Sequence, residues 1–307
     1  MISPPKFDCL VAGDANVDLL VDGVIELQPG TEKLASGLDL VLGGSSAITA
    51  FNLSSLGATV TFAGVIGADL FGRFVQDKLA GGGVDQRGLR RVPHLKSGVT
   101  IWHSCAGKRA GVTYAGTSAM LELKDVPDEL LKSARHFHMG AYFLQTNIHA
   151  DAPALFARAR KLGLTTSVDC NYDPAERWDS NLREVLKHAD LFFPNEDEAR
   201  HITGESTALA AARSLASLAK TVVVKRGAGG ALLVSGSTEF DVPAVPAIAI
   251  DTTGAGDSFN AGFLAAFLQG GDLKDSANAG ARAGARNVQY IGGTAAFENH
   301  ECRHRRS

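Results

Sequence analysis

The sequence contains few cysteines and no long apolar run, and both shortages exclude classes of protein. Its four cysteines lie far apart without a Cys-x-x-Cys pair, so neither a disulfide framework nor a zinc ribbon is predicted. No run of about 18 apolar residues is present to cross a membrane, and the N-terminus lacks the basic and apolar segments of a secretory signal. We therefore predict a cytoplasmic protein with free thiols and no membrane partner.

An excess of positive charge is also missing. Lys and Arg number 30 against 33 Asp and Glu, which gives a net charge of −3, so nucleic acid is not expected as a partner. Of the 307 residues, 45% are hydrophobic and 21% are charged, a composition typical of a globular protein with a large core. A small molecule is the expected ligand.

Two common nucleotide-binding motifs are absent. The sequence has no GxxxxGK[ST], which excludes a P-loop kinase, and the first strand runs into AGDANVD (12–18) without the GxGxxG of a dinucleotide-binding fold. HECRH (300–304) satisfies the HExxH pattern of zinc proteases. It lies in a charged tail without an apolar helical face, so we interpret it as a coincidence.

Short β-rich apolar runs alternate with longer helical stretches along the chain. The strand-like runs are 7–13, 59–67, 165–169, 191–195 and 221–227, and the helical stretches include 45–57, 149–163 and 206–220. Alternation of this kind predicts an α/β fold in which helices cover both faces of a mainly parallel sheet. We expect one domain over residues 1–298, followed by a polar tail, 299–307.

Residues 19–42 and 97–116 interrupt the alternation with strand-like stretches and turn residues but no helix. They predict a small antiparallel sheet that projects from the main domain and covers a ligand, as a lid does. Two ordinary surface hairpins are an equally good interpretation of the pattern. If the lid forms, its exposed strand edges could pair between two copies of the chain, so a homodimer through the lid is one expected assembly.

The segment DTTGAGDSF (251–259) places Asp257 directly after a Gly-Ala-Gly turn and at the start of an apolar helical stretch. Unpaired backbone N–H groups and the positive end of the helix dipole meet at such a point, and glycines let a phosphate approach closely. The segment predicts an anion-binding turn with a carboxylate beside it. A tight strand-to-helix turn with an acidic first-turn residue is the simpler alternative.

Four further stretches each allow a functional and a purely structural interpretation. PNEDEARHITG (194–204) could act at a ligand or form a capping box, and VVVKRGAGGALL (222–233) could bind a ligand or form a hairpin turn. GGSSAITAFNLSSLG (43–57) could be a ligand site or a second tight turn. AGDANVDLL (12–20) ends a strand with polar residues, either as a loop or at the edge where parallel sheets bind ligands.

Taken in order, these stretches resemble the PfkB, or ribokinase-like, family of ATP-dependent sugar kinases, from the first strand to about residue 293. DTTGAGDSFNAGFL is similar to the family's C-terminal signature, and the GG pair with LGATVTFAGVIGADLFG is similar to its N-terminal one. NEDE matches the family's Asn-x-x-Glu. The resemblance implies a three-layer α/β/α domain with a β lid, ATP and Mg²⁺ as cofactors, and K⁺ in many members.

The resemblance also implies roles for single residues. Asp257 would be the catalytic base, and Gly254, Ala255 and Gly256 would donate N–H groups to the phosphoryl group. Asn195 and Glu198 would act near the phosphates and Mg²⁺, often through water, and Lys225, Gly227 and Gly230 would bind the nucleotide. Asp251 and the Thr253 carbonyl would hold a monovalent cation, and Asn16, Asp18, Gly43 and Gly44 would bind the sugar.

Two positions depart from the family's pattern. Ile48 stands where many members have a substrate-binding Asn, which argues against standard ribokinase specificity. Asp173 stands where related enzymes for acidic sugars often have Arg, and a carboxylate there would repel an acidic substrate. The resemblance therefore predicts a kinase for a sugar or, alternatively, a nucleoside. A catalytically silent relative that binds nucleotide or sugar is the second class of function.

Overall fold

The computed structural model describes residues 5–24, 27–105 and 108–298. The tail predicted for 299–307, with its HECRH segment, lies outside these residues. The strands are β1 Phe7–Ala12, β2 Asn16–Asp22, β3 Gly37–Gly43, β4 Val60–Gly67, β5 Asp85–Val92, β6 Gly98–Cys105, β7 Lys108–Tyr114, β8 Ala134–Met139, β9 Thr165–Val168, β10 Leu191–Phe192, β11 Thr221–Lys225, β12 Ala231–Ser235 and β13 Thr238–Val242. The α-helices are α1 Ser45–Ser55, α2 Leu70–Gly81, α3 Asp128–Lys132, α4 Ala152–Lys161, α5 Leu182–Leu186, α6 Glu196–Thr203, α7 Ala208–Ala216, α8 Ala255–Leu268 and α9 Leu273–Asn287. Among these described helices, none has the length and apolar character needed to span a bilayer.

Nine strands form a large sheet in the order β13-β12-β11-β10-β9-β8-β1-β4-β5. The neighbours from β11 to β5 pair in parallel, and β12 and β13 extend one edge as antiparallel strands. The mainly parallel sheet predicted from the alternation of strands and helices is confirmed.

Separate apolar cores cover the two faces of this sheet. Leu10 of β1 belongs to a core that includes Phe156 of α4, whereas the next residue, Val11, belongs to a core that includes Phe263 of α8. Because successive side chains of a strand point to opposite faces, the helices lie on both faces. The three-layer α/β/α arrangement is confirmed.

Strands β5 and β8 are absent from the predicted strands because both carry several polar residues. In β8, His136 and His138 are buried, and the hydroxyl of Ser167 lies 2.7 Å from Nε2 of His136 and 2.7 Å from Nδ1 of His138. Burial lowers the pKa of His136 to about 3 and that of His138 to about 4. Both rings are therefore neutral and act as polar members of the core.

The two interrupting segments form a separate sheet of four strands in the order β3-β2-β6-β7. Pairs β2–β3 and β6–β7 are antiparallel hairpins, but β2 and β6 run parallel, from Asn16 opposite Gly98 to Asp22 opposite Ser104. The prediction of a purely antiparallel sheet is wrong on this point. Each hairpin follows a parallel strand of the large sheet, β1 or β5, so the first strands of both leave the domain in the same direction.

Candidate active site

Several polar residues lie near the carboxyl ends of the parallel strands. Asp14 follows β1, Asp169 follows β9, Asn195 follows β10, and Lys225 ends β11. In a doubly wound sheet the carboxyl edge is where ligands bind. The N-terminus of α8 lies at the same edge of the sheet, because Lys225 contacts the first turn of that helix.

The N-terminus of α8 is an open turn. Gly254 is its N-cap with φ 71°, and a Cβ there would lie 2.6 Å from Cα of Gly293, so only glycine fits. Within the described residues, the N–H groups of Gly254 and Gly256 donate to no backbone carbonyl, whereas Ala255 N–H donates to Thr252 O at 3.2 Å. Two of the three predicted N–H donors are thus free to bind an anion at the positive end of the helix.

Asp257 lies in the first turn of α8 and is partly buried. Burial raises the pKa of its carboxyl well above the ordinary value, and the charges of Asp169 and Asp14 add to this effect. Lys225 and the hydroxyl of Ser45 act in the opposite direction. Asp257 is therefore a stronger base than an exposed aspartate, whose pKa is about 3.9.

Lys225 forms a buried ion pair beneath this turn. Its Nζ lies 2.6 Å from Oδ2 of Asp169 and would lie 3.4 Å from a Cβ placed on Gly256, and Asn260 also donates to Asp169. Burial opposes both charges, but the pKa of Lys225 is raised by Asp169 and Glu198, and that of Asp169 is lowered by Lys225. Both partners are therefore charged, and the ammonium group lies at the anion-binding turn.

Asn195 and Glu198 form the capping box that was the simpler interpretation of their spacing. Asn195 Oδ1 accepts the Glu198 N–H at 2.8 Å, and Glu198 Oε2 accepts the Asn195 N–H at 2.7 Å. Glu198 is buried, and burial together with the charge of Asp169 raises its pKa to about 7. The Cys170 thiol donates to Glu198 at 3.4 Å. Ligand atoms of Asp169, Cys170 and Glu198 lie within 4.8 Å of one another.

The glycine-rich stretch after Lys225 connects two antiparallel strands. Residues Gly227–Gly229 form a single 3₁₀ turn between β11 and β12, and Gly230 follows directly. The hairpin turn, which was the simpler interpretation of residues 222–233, is therefore present. It lies next to Lys225 and so borders the anion-binding turn.

The residues predicted to bind a sugar lie together at the base of the small sheet. Asn16 Nδ2 donates to Oδ1 of Asp18 at 3.1 Å and to Oγ1 of Thr100 at 3.2 Å. A Cβ on Gly43 would overlap this Asp18 oxygen, and Gly44 is the N-cap of α1. The four predicted residues therefore form one polar cluster, to which the structure adds Thr100.

Asp14, Ser45 and Asn171 are further residues of the site that were not predicted. The carboxylate of Asp14 accepts the N–H groups of Ser45 at 3.1 Å and Ser46 at 2.9 Å and so caps α1. Asn171 Nδ2 donates to the Ser45 hydroxyl at 2.9 Å, and that hydroxyl lowers the pKa of Asp257. Asp14, Ser45 and Asn171 therefore form one polar group at the N-terminus of α1. Asp14 at a strand end was the only available signal, because its partners follow 31 and 32 residues later.

The two departures from the family's pattern have distinct surroundings. Ile48 is buried, and its side chain lies 3.2 Å from where a Cβ on Gly254 would be, so it packs behind the anion-binding turn. Asp173 accepts N–H groups of Ala175 at 2.9 Å and Trp178 at 2.7 Å. The Asp173 carboxylate therefore orders its own loop, and the predicted repulsion of an acidic substrate has little geometric support.

The positions predicted for a monovalent cation are engaged by the protein itself. Oδ1 of Asp251 accepts the Thr253 N–H at 2.9 Å and its hydroxyl at 2.6 Å, and Oδ2 accepts the Gly292 N–H at 2.8 Å. The Thr253 carbonyl accepts Nδ2 of Asn287 at 2.6 Å. The oxygens of Asp251 and Thr253 at these positions thus accept hydrogen bonds from the protein.

A family model described as pfkB family carbohydrate kinase matches residues 6–300. The ribokinase of Bacillus subtilis is 26% identical over 286 residues, which cover 92% of this chain and 93% of the relative. The cytidine kinase of Thermococcus kodakarensis is 30% identical over 285 residues, covering 89% of this chain and 93% of the relative. Both relatives thus match along nearly their whole length.

Solved structures agree with these sequence matches. The crystal structure of a candidate ribokinase II from E. coli in complex with ATP and Mg²⁺ superimposes with a TM-score of 0.84 at 25% identity. It covers 95% of this chain and 96% of that chain.

Proposed function

The chain belongs to the pfkB family of carbohydrate kinases, and on this premise we propose that it transfers the terminal phosphoryl group of ATP to a hydroxyl of a sugar or sugar-like molecule with Asp257 as the base. One observation carries the proposal: Asp257, the free N–H groups of Gly254 and Gly256 and the ammonium of Lys225 all lie at the N-terminus of α8. Phosphoryl transfer needs alignment and charge stabilisation above all, and this arrangement offers both.

The anion-binding turn would hold the phosphoryl group as it moves. N–H groups at a helix start are fixed in direction before the reaction, so they stabilise developing charge without reorganising. Lys225 would add a full positive charge next to Gly256. Because Ala255 N–H already donates to Thr252, we assign the donation to Gly254 and Gly256 in preference to Ala255.

Asp257 would take the proton of the acceptor hydroxyl. Burial raises its pKa, which brings its basicity closer to that needed for an alcohol. The Ser45 hydroxyl, which accepts a hydrogen bond from Asn171, acts against this rise in pKa.

Mg²⁺ fits the acidic oxygens below the turn. Asp169 and Glu198 supply carboxylate oxygens within 4.8 Å of each other, and oxygen is the ligand that Mg²⁺ prefers. Glu198 already accepts two hydrogen bonds from Asn195 and Asp169 is paired with Lys225, so both would hold the ion through water. When bound, the ion would neutralise charge on the phosphates of ATP. K⁺ is not part of the proposal, because the groups at its predicted position bind one another.

The nucleotide would bind at the β11–β12 hairpin, against Gly227, Gly230, Asn195 and Lys225. The acceptor would lie on the other side of Asp257, against Asn16, Asp18, Gly43 and Gly44. The contacts of Asn16 with Asp18 and Thr100 present several polar atoms towards one place, as recognition of hydroxyl groups requires. A nucleoside is the second candidate acceptor, because the relative that is 30% identical is named a cytidine kinase.

We also propose that residues 1–298 form a single domain and that the small sheet, from segments 19–42 and 97–116, is its lid. We propose in addition that this sheet joins two copies of the chain. One face carries a row of apolar side chains across the sheet, in which Leu40 is 41% and Val112 is 62% exposed. A second copy would cover this face. Light scattering after gel filtration should show a dimer that Leu40→Asp converts to a monomer; a monomeric native chain would refute it.

The experiment for the activity is an ATP-consumption assay with Mg²⁺ and a panel of sugars and nucleosides. We expect ADP formation that requires one acceptor class and is lost in Asp257→Asn. Isothermal titration with ATP serves as the control for intact nucleotide binding. If ATP binds but no acceptor is phosphorylated, the chain is a silent relative and the proposed activity is refuted.

A further inference from the structure

The loop before the anion-binding turn is held by a single buried side chain from α9. Asn287, the last residue of that helix, is 0% exposed and donates Nδ2 to the Thr253 carbonyl at 2.6 Å. At this distance from a carbonyl oxygen only the amide nitrogen fits, because the amide oxygen would repel it. Asn287 therefore presents a partial positive charge to the carbonyl.

The Thr253 carbonyl and the Gly254 N–H belong to the same planar peptide unit and point in opposite directions. A bond that fixes the carbonyl therefore also fixes the direction of the N–H. Gly254 N–H is one of the two free donors of the anion-binding turn. Asn287 thus acts on the turn through one rigid peptide, without touching the phosphoryl group itself.

A monovalent cation at this position would need the same groups as ligands. The Asp251 carboxylate already accepts two bonds from Thr253 and one from the Gly292 N–H, and the Thr253 carbonyl accepts Asn287. Each of these oxygens accepts a hydrogen bond from an N–H or O–H group. The hydrogens of those groups carry positive partial charge and would repel a cation. The residues predicted for K⁺ do not fit it as they are placed.

From these contacts we propose that the Asn287 amide takes the place of a monovalent cation, so that the anion-binding turn is set and the kinase works without K⁺. Oδ1 of Asn287 has no hydrogen-bond partner within the described residues. The inference rests on the proposed function, and Asn287 is a positioning residue in it.

The first test compares activity with and without K⁺. Native protein should turn over at the same rate, within about twofold, in choline chloride and in potassium chloride. Asn287→Ala should lower kcat by roughly tenfold in choline with little change in KM for ATP, since one charge-orienting hydrogen bond is lost. Potassium chloride should restore most of this loss, because the carbonyl is then open to a cation. A native enzyme that requires K⁺ overturns the inference.

The second test does not depend on turnover. Thermal unfolding of Asn287→Ala without substrates should shift upward on addition of potassium chloride but not of choline chloride, because a cation that binds the folded state stabilises it. Asn52→Ala is the matched control: Asn52 is equally buried, also has an unpartnered Oδ1, and donates to Ser258 and Gly293. Its unfolding should not respond to K⁺.

If the alanine variant does not fold, Asn287→Asp replaces it in both experiments. A carboxylate beside the Thr253 carbonyl should require a cation even more strongly than alanine does. If neither Asn287 variant responds to K⁺ more than Asn52→Ala does, the inference is wrong. If no acceptor is phosphorylated in either salt, the proposed function fails, while the unfolding experiment still decides whether Asn287 replaces a cation.

Discussion

Replacing Gly254 by alanine should disable the anion-binding turn without removing a catalytic group. Gly254 has φ 71°, and a side chain in that conformation costs about 1–2 kcal/mol. In addition, the new Cβ would lie 2.6 Å from Cα of Gly293, about 1 Å closer than ordinary contact. A Cβ cannot rotate away from its own backbone, and the atom it would meet is a backbone atom of Gly293. The turn itself must therefore move by a similar distance. A shift of about 1 Å at a reacting centre costs roughly 10²-fold in rate.

Gly270 offers a matched control at the other end of the same helix. It has φ 91°, but a Cβ there would meet nothing within 4 Å. Gly270→Ala should therefore lose only about 1 kcal/mol of stability to backbone strain and keep native turnover. Chemical unfolding and steady-state kinetics on both variants separate the two effects. If Gly254→Ala retains turnover within a few-fold of Gly270→Ala, the turn does not hold the phosphoryl group.

Two further outcomes follow from the charges of the site. Asp257→Asn should lower kcat by roughly 10²–10⁴-fold while ATP affinity persists, and near-native kcat in that variant would remove Asp257 as the base. Burial raises the pKa of Glu198 from 4.5 to about 7 in the folded state, so the folded protein binds the extra proton in this range. Native protein should therefore lose stability relative to Glu198→Gln as pH rises from 4.5 to about 7. Urea unfolding at pH 5 and pH 7.5 measures the difference, and an equal difference at both pH values would contradict the shift.

The layers of the fold were predictable because they depend on local composition. β1, β4 and β11 are short apolar runs, and each is buried almost throughout, so their sequence alone indicates a strand covered on both faces. β8 was not predictable in this way. Its histidines become core residues through Thr165 and Ser167 on the neighbouring strand, contacts that no local pattern contains.

The small sheet shows the same limit in its topology. The two hairpins could be predicted from turn residues and strand-like stretches, yet the parallel pairing of β2 with β6 joins residues 82 positions apart, such as Asn16 and Gly98. That pairing depends on where β1 and β5 end in the large sheet. Strand neighbours of this kind are set by tertiary structure, and the sequence pattern does not contain them.

The local structural interpretations and the proposed functional ones are compatible within the site. Asn195 and Glu198 do form a capping box, and the glycines after Lys225 do form a hairpin. A cap or a hairpin fixes backbone direction, which is also what a binding site requires of its residues. What distinguishes this place from an ordinary turn is that Lys225, paired with Asp169 from another strand, reaches Gly256 at the start of α8. Convergence of separate strand ends on one helix N-terminus, more than any single motif, is therefore the strongest physical support for phosphoryl transfer here.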